Sequence, residues 1–475
     1  MHQHLDTSIT NLVRSILNTP KLKDADMHTN ILAFAAAFST LATITCASPS
    51  PTPSAFNPPA LSKAETSAGW QLLFDGTPAS ATTNFRAFRQ PAFPKTGWVI
   101  EDGHLRTVKG AEASDIVTAN DYADFELSLE YRCTPGANSG IIYRVTDKHD
   151  ATWQTGPEFQ VIDDAGVDIG NNKKGLKPED PHSAGSLYDM VSPPATKTTK
   201  PAGEWNTARI RLKDGLLQHF LNDVKLLECR VDDQSWSDRI AMSKFKDYPG
   251  FGLQPRGRIA LQHHGDEVAY RNIRVRDLSS PMPGEIALFN GKSTANWMAF
   301  VPDLSNKQAD PMSVWTVIDR VLVCAGTPAG YIRTKDDYTN YILKVEWRWS
   351  PDTRKAGNSG VLLRVQQPDN VWPTCIEAQL QSGRAGDFWN IGDLKMTSES
   401  TRLNGRNTKH THAAEHAIGE WNDYEIIVDG SNIALFVNGE QLNRAWDVQT
   451  IPGKIALQSE GTEIHFRKVA LSPIP

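Results

Sequence analysis

The chain has 475 residues, 39% of them apolar, with 49 basic and 55 acidic side chains and a net charge of −6. That is globular composition, and the length suits two or three domains of about 150–250 residues each. The charge balance offers no basic surplus for nucleic acid or an anionic membrane. Five cysteines without a C-x-x-C pair exclude a zinc ribbon, a thioredoxin motif and a dense disulfide scaffold.

Residues 31–45, ILAFAAAFSTLATIT, form an uncharged run. It is shorter than the roughly 20 residues a membrane span needs and suits the apolar region of a secretory signal. Residues 1–46 are therefore read as a targeting segment, with Met27 as a candidate start. Cys46 closes the run as in a lipoprotein signal. Thr43, Ile44 and Thr45 before it make a poor lipobox, which favours an ordinary signal peptidase over lipidation. Residues 47–68 are rich in Pro, Ser and Ala and predict an extended tether.

Beyond the tether the chain repeats itself. LLFDG (72–76) returns as ALFNG (287–291), and FELSLEYR (125–132) as YILKVEWR (341–348). NSGIIYRV (138–145) returns as NSGVLLRV (358–365), GEWN (203–206) as GEWN (419–422), and GRIALQ (257–262) as GKIALQ (453–458). Matched blocks in one order predict tandem domains over 69–278 and 285–473, joined by a linker at 279–284. The period is too long for a solenoid. GEWN and IALQ lie 20 residues further apart in the first copy, and the excess includes SKFKDYPGFG (243–252), read as a loop over one end of the fold. Apolar and polar residues alternate in FELSLEYR and YILKVEWR, as in half-buried strands. Asp214-Gly215, Asn222-Asp223, Asp429-Gly430 and Asn438-Gly439 are hairpin turns. The fold class is all-β, with a two-sheet sandwich or jelly roll in each copy.

GPEFQVIDD (156–164) carries the first candidate site. Glu158 and Gln160 share one face of a strand, and Phe159 and Val161 the other. Burying Glu and Gln in an apolar core is costly, which places them on a concave, solvent-filled face. The second copy repeats the pattern with Glu377 and Gln379. Arg144 and Arg364 follow the NSG blocks on strands, where ion pairing with the Glu and ligand binding are both open. Asn138 begins the first NSG, a turn or a binding element. LQHHGDEVAYRN (261–272) sets His263, His264 and Asp266 after an apolar strand, suited to acid, base or metal-ligand duty or to a plain surface turn. The second copy has Glu460 at the place of His264. His410, His412 and His416 have metal-like spacing, but their segment is polar and reads as a solvated loop. Thirteen tryptophans supply core residues or platforms for sugar faces.

The order of these blocks resembles the 3-keto-disaccharide hydrolase family. The carrying residues are LLFDG, NSGIIYR, PEFQVIDD, the AGSLYD–PP stretch (184–194), PAGEWN, SKF-PGFG and GRIALQHHGDEVAYRNIRVRDL. The resemblance implies two tandem concanavalin-like jelly rolls, of the kind found in lectins and glucanases, and a place among exported bacterial proteins. It also implies action on glycosides oxidised at C3. A C3 ketone acidifies the C2 hydrogen, a base removes it, the C1 substituent leaves, and water adds back. On that reading Glu158 is the base or acid/base. Arg144 or a divalent cation stabilises the enolate, and His264 protonates the leaving oxygen. Gln160 and Asp163 bind hydroxyls or a cation, Asn138 contributes to substrate binding, and Tyr188 stacks on or bonds the sugar. The related glucanases use E-x-D-x-E. Gln160 and Ile162 stand where the second and third carboxylates would be, which argues against their double displacement. The expected protein is an enzyme exported to a bacterial periplasm or cell surface, touching membrane only through a lipid anchor. The alternative is a glycan-binding protein with two lectin-like domains and no catalysis.

Overall fold

A computed structural model describes residues 58–170 and 173–475. The signal segment, Cys46 and the first part of the tether lie outside the described residues.

In the first copy, period-two alternation builds two antiparallel sheets. One has eight strands, among them Phe125–Cys133, Asn206–Lys213, Leu216–Leu221 and Val268–Asp277. The other has five, in the order Phe85–Ala87, Ile116–Thr118, Arg258–Leu261, Asn138–Val145 and Glu158–Ile162. Leu127, Leu129, Ile210, Leu212, Val275, Ile141, Tyr143, Phe159 and Val161 meet between them as the core. Each fully buried large apolar side chain there contributes ~1.5–3 kcal/mol. The second copy repeats the plan with sheets of nine and eight strands and its own core. The all-β, tandem-sandwich expectation therefore holds. The four described cysteines, Cys133, Cys229, Cys324 and Cys375, are buried and free.

The tether ends earlier than its composition suggests. Residues Lys63–Ser67 form a short helix closed by a capping box between Ser62 and Glu65. Ala64 and Ala68 pack with Met282, Ile342 and Ile474, and Ser67 donates to the Pro473 carbonyl at 3.0 Å. The Ser-Lys-Ala-Glu signature of the capping box was legible in the sequence but outweighed by the surrounding prolines.

The two sandwiches pack through the outer faces of their larger sheets. Side chains alternating with the core residues meet there as ion pairs. Arg211 reaches Asp423 at 2.5 Å, Lys213 reaches Glu346 at 2.8 Å, and Arg276 bridges Glu126 and Glu425, each at 2.7 Å. The first copy supplies most of the cations, the second most of the anions. A cavity of about 740 Å³ beside these pairs is lined by Arg211, Lys213, Glu346, Asp423, Trp421 and Arg467. Since the larger sheets face each other, the smaller sheets are left on the outer sides of the molecule.

Candidate active site on the concave sheet

The five-stranded sheet reads as a grid. Ile142 pairs with Glu158, and Gly140 with Gln160. On the other side Ile142 pairs with Ala260, which pairs with Val117. One row is thus Val117, Ala260, Ile142 and Glu158. The next is Asp115, Gln262, Gly140 and Gln160, with the Gln262 amide donating to the Gly140 carbonyl at 2.9 Å. Phe88, Val117, Ile142 and Ala260 form an apolar floor with Trp153 against it.

Glu158 leans from its own row over Gly140. A Cβ at Gly140 would stand 2.0 Å from Glu158 Oε1. The glycine of NSG is therefore the space the carboxyl occupies. The Gln160 NH₂ donates to Asn138 Oδ1 at 3.1 Å, and with the amide turned over it reaches Glu158 Oε1 (3.1 Å) and the Ser139 carbonyl (3.2 Å). Burial pushes the Glu158 carboxyl up to about 8; the Lys244 charge opposes the rise and Asp115 adds to it.

Lys244 comes from the extra 20 residues of the first copy. Helix Gln234–Met242, capped by Asp233, buries Trp236 in the core. Phe245 and Phe251 stack at 4.0 Å, and the Lys244 amide donates to Asp189 at 2.7 Å. These anchors set the Lys244 ammonium 4.2 Å from the centre of the Tyr188 ring and 5.4 Å from that of Trp153. Burial lowers its pKa, and Glu158 and Asp189 pull it back. A pocket of about 270 Å³ adjoins, lined among others by Asp115, Trp153, Gln262, His263 and His264. Asp115 is half-buried, and desolvation raises its pKa. It accepts from the His263 amide at 2.8 Å and from Thr152.

The structure thus brings together Glu158, Gln160, Asn138 and Tyr188, with His264 on the adjoining pocket. It moves two expected residues elsewhere. Arg144 sits at φ 56°, a bulge that turns its side chain off the concave face. Its guanidinium donates to the Gly252 carbonyl, and the carboxylates whose charge it feels are Asp124 and Asp232. Asp163 is spent on backbone, accepting from Gly136 at 2.8 Å and Ala165 at 3.3 Å. Lys244, Asp115 and Trp153 are the residues that sequence reasoning missed. Lys244 had one signal, its place in the segment that only the first copy carries.

In the second copy Glu377 and Gln379 occupy the same grid positions, with Glu377 over Gly360. Arg364 repeats the bulge at φ 55° and donates to the Gly430 carbonyl at 2.6 Å and to that of Gln449, so it too is structural. Glu460 faces Asn358 across an isolated bridge. His410 pairs with Asp387 at 2.7 Å, His412 with Glu440 at 2.8 Å and His416 with the Trp421 carbonyl at 2.8 Å. Each histidine is used separately, and no cluster of three or more His, Cys, Asp or Glu suited to a metal occurs among the described residues.

The class that the fold defines is an all-β protein of paired sandwiches, with this buried carboxyl, its amides, the ammonium and the aromatic faces gathered on the smaller sheet. The family can be named. Residues 69–276 and 284–472 each match the 3-keto-alpha-glucoside-1,2-lyase-like domain, and the chain belongs to that family as two tandem copies. It is 31% identical over 242 residues to a 3-keto-disaccharide hydrolase of Bacteroides thetaiotaomicron, covering 44% of this chain and 79% of that one. A crystal structure from Parabacteroides distasonis, ascribed to the glycosyl hydrolases, is 32% identical and covers 47% of this chain and all of that one, with a TM-score of 0.42. A second from the same organism is 27% identical over 44% of this chain and 99% of that one, with a TM-score of 0.33.

Proposed function

We propose that this protein is a glycoside-cleaving enzyme whose first sandwich acts on 3-keto-glycosides by elimination and rehydration. The family and the hydrolase relative support carbohydrate cleavage. The observation that carries the finer reading is the buried Glu158 beside the Lys244 ammonium. Proton abstraction next to a ketone needs a base of matched strength and a cation for the enolate oxygen. Glu158, held near 8, is such a base once ionised. Lys244 takes the role that the sequence reading gave to Arg144.

In the proposed reaction, the Glu158 carboxylate takes the C2 proton. The C2–H pair moves into the C2–C3 bond, and the C3 oxygen becomes an enolate beside Lys244. The enolate then collapses, the C1–O bond breaks, and His264 gives a proton to the departing oxygen. Water adds to C1 of the enone and C2 regains a proton, so the net reaction is hydrolysis. Gln160, Asn138 and Gln262 hold ring hydroxyls, and Tyr188 and Trp153 offer apolar faces to the sugar. We further propose export, supported by the apolar run at 31–45.

The test is product formation from a 3-keto-glycoside. Glu158→Gln should lower kcat by about 10²–10⁴-fold, with KM changed far less. Equal turnover by wild type and Glu158→Gln would remove Glu158 from the mechanism.

A further inference from the structure

The second sandwich carries the same grid with different chemistry. One row of its concave face is Tyr331, Gln458, Gly360 and Gln379, from the pairings of Tyr331 with Gln458 and Gly360 with Gln379. The Glu377 carboxyl leans over Gly360, since a Cβ there would stand 2.4 Å from its Oε1. Two residues along, Asn358 and Glu460 face each other on the same side. Trp389 pairs directly with Glu377 across the neighbouring strand.

Several polar atoms on this face are unspent. Glu377 Oε1, Asn358 Oδ1, both ends of the Gln458 amide and Trp389 Nε1 are buried without hydrogen-bond partners among the described residues. Gln458 is 2% exposed and Glu377 4%. An unmet buried polar atom costs about 1–3 kcal/mol. Five of them lie together on this face.

We propose that the second sandwich binds a neutral, unoxidised saccharide between Glu377, Gln458, Glu460 and Trp389. The unmet atoms are of both kinds, three acceptor oxygens and two N–H donors. A metal ion would use the oxygens and leave the donors empty, whereas a sugar hydroxyl donates and accepts. The three acceptors need hydroxyl donors, which a ketone at the same carbon cannot supply. Burial, with Glu460 adding to it, raises the Glu377 pKa, and an anionic sugar beside these two carboxyls would face further repulsion whenever they ionise. The segment that delivers Lys244 in the first copy has no counterpart here; the cation in the Glu377 row is Arg333, which is paired with Asp369 at 2.7 Å. Trp372 stands five residues before Glu377, as Trp153 stands before Glu158, and is 49% exposed. Its free face suits stacking on a pyranose.

The experiment is calorimetric titration of the full chain with methyl glucopyranosides, maltotriose and cellotriose, and separately with calcium. The variants are Gln458→Leu and Trp372→Ala in the second sandwich, and Lys244→Ala in the first. Wild type and Lys244→Ala should bind at least one saccharide. Gln458→Leu and Trp372→Ala should weaken that binding by about tenfold. Gln458→Leu should also raise Tm, because it removes unmet polar atoms, an outcome that a purely structural glutamine would not give. Binding of none of the saccharides, binding of calcium alone, or affinity kept in both second-sandwich variants and lost in Lys244→Ala would overturn the proposal. Turnover of 3-keto-glycoside in the same samples reports separately on the first sandwich.

Discussion

At the residue scale, the reactive feature is a carboxyl held away from water. In the proposed reaction Glu158 must be ionised, so kcat/KM should rise with pH and level off above about 8. The Lys244 charge lowers the Glu158 pKa. In Lys244→Met the rise should therefore shift to higher pH, with a lower plateau from the lost enolate contact. An unmoved profile would disconnect the two groups. Gly140 gives a sharper test. Alanine there meets the far end of the Glu158 side chain, not backbone, so the carboxyl swings aside and the sheet survives. Misplacing a reacting group by about 1 Å costs roughly 10² in rate. Gly140→Ala should lose that much kcat/KM while its urea midpoint moves little.

At the element scale, one bulge recurs in both copies and explains two arginines. Arg144 and Arg364 have positive φ, and each inserts a residue that turns its side chain off the concave face. The period-two pattern assumes an unbroken strand, so it assigned both arginines to the site. Arg364, fully buried, donates to the Gly430 and Gln449 carbonyls. Replacing it with Met leaves those carbonyls unmet and should cost about 2–4 kcal/mol in urea unfolding. Turnover assigned to the first sandwich should be unchanged at a temperature where the fold holds. The inserted segment is the second element that matters. Trp236 and the Phe245–Phe251 stack fix it, and with it the ammonium over Tyr188.

At the scale of the whole molecule, ion pairs join the two sandwiches. Glu126 is buried, yet Arg276, Arg209 and Arg211 hold its carboxyl down to about 2 against the burial that would raise it. Its ordinary value is 4.5, so its contribution to stability is complete above that pH and is lost as pH falls toward 2. Asp423 and Glu346 are lowered in the same way and add to the effect. Unfolding monitored by tryptophan fluorescence should show stability falling steeply through that window. Glu126→Gln should cost about 3–5 kcal/mol at neutral pH, since it strands buried arginines, and should flatten the acid dependence. An acid limb as steep as that of wild type would place the sensitivity elsewhere.

Strand periodicity, turn pairs and the recurrence of five blocks were enough to read two tandem β-sandwiches and to single out Glu158, Gln160, Glu377 and Gln379. Those are local properties, because a side chain's face follows from its place in a strand. Asn138 and Tyr188 came from the NSG block and the family resemblance. Tertiary structure alone decided the rest. Lys244 and Trp153 meet over the Glu158 face from two short helical turns far apart in the chain, and no spacing along the chain encodes that meeting. Asp115 lies two strands from Gly140 in a sheet whose strand order is not sequential. The outward placement of the two concave sheets follows from which charged faces bury each other, and that depends on pairing between residues more than 100 positions apart.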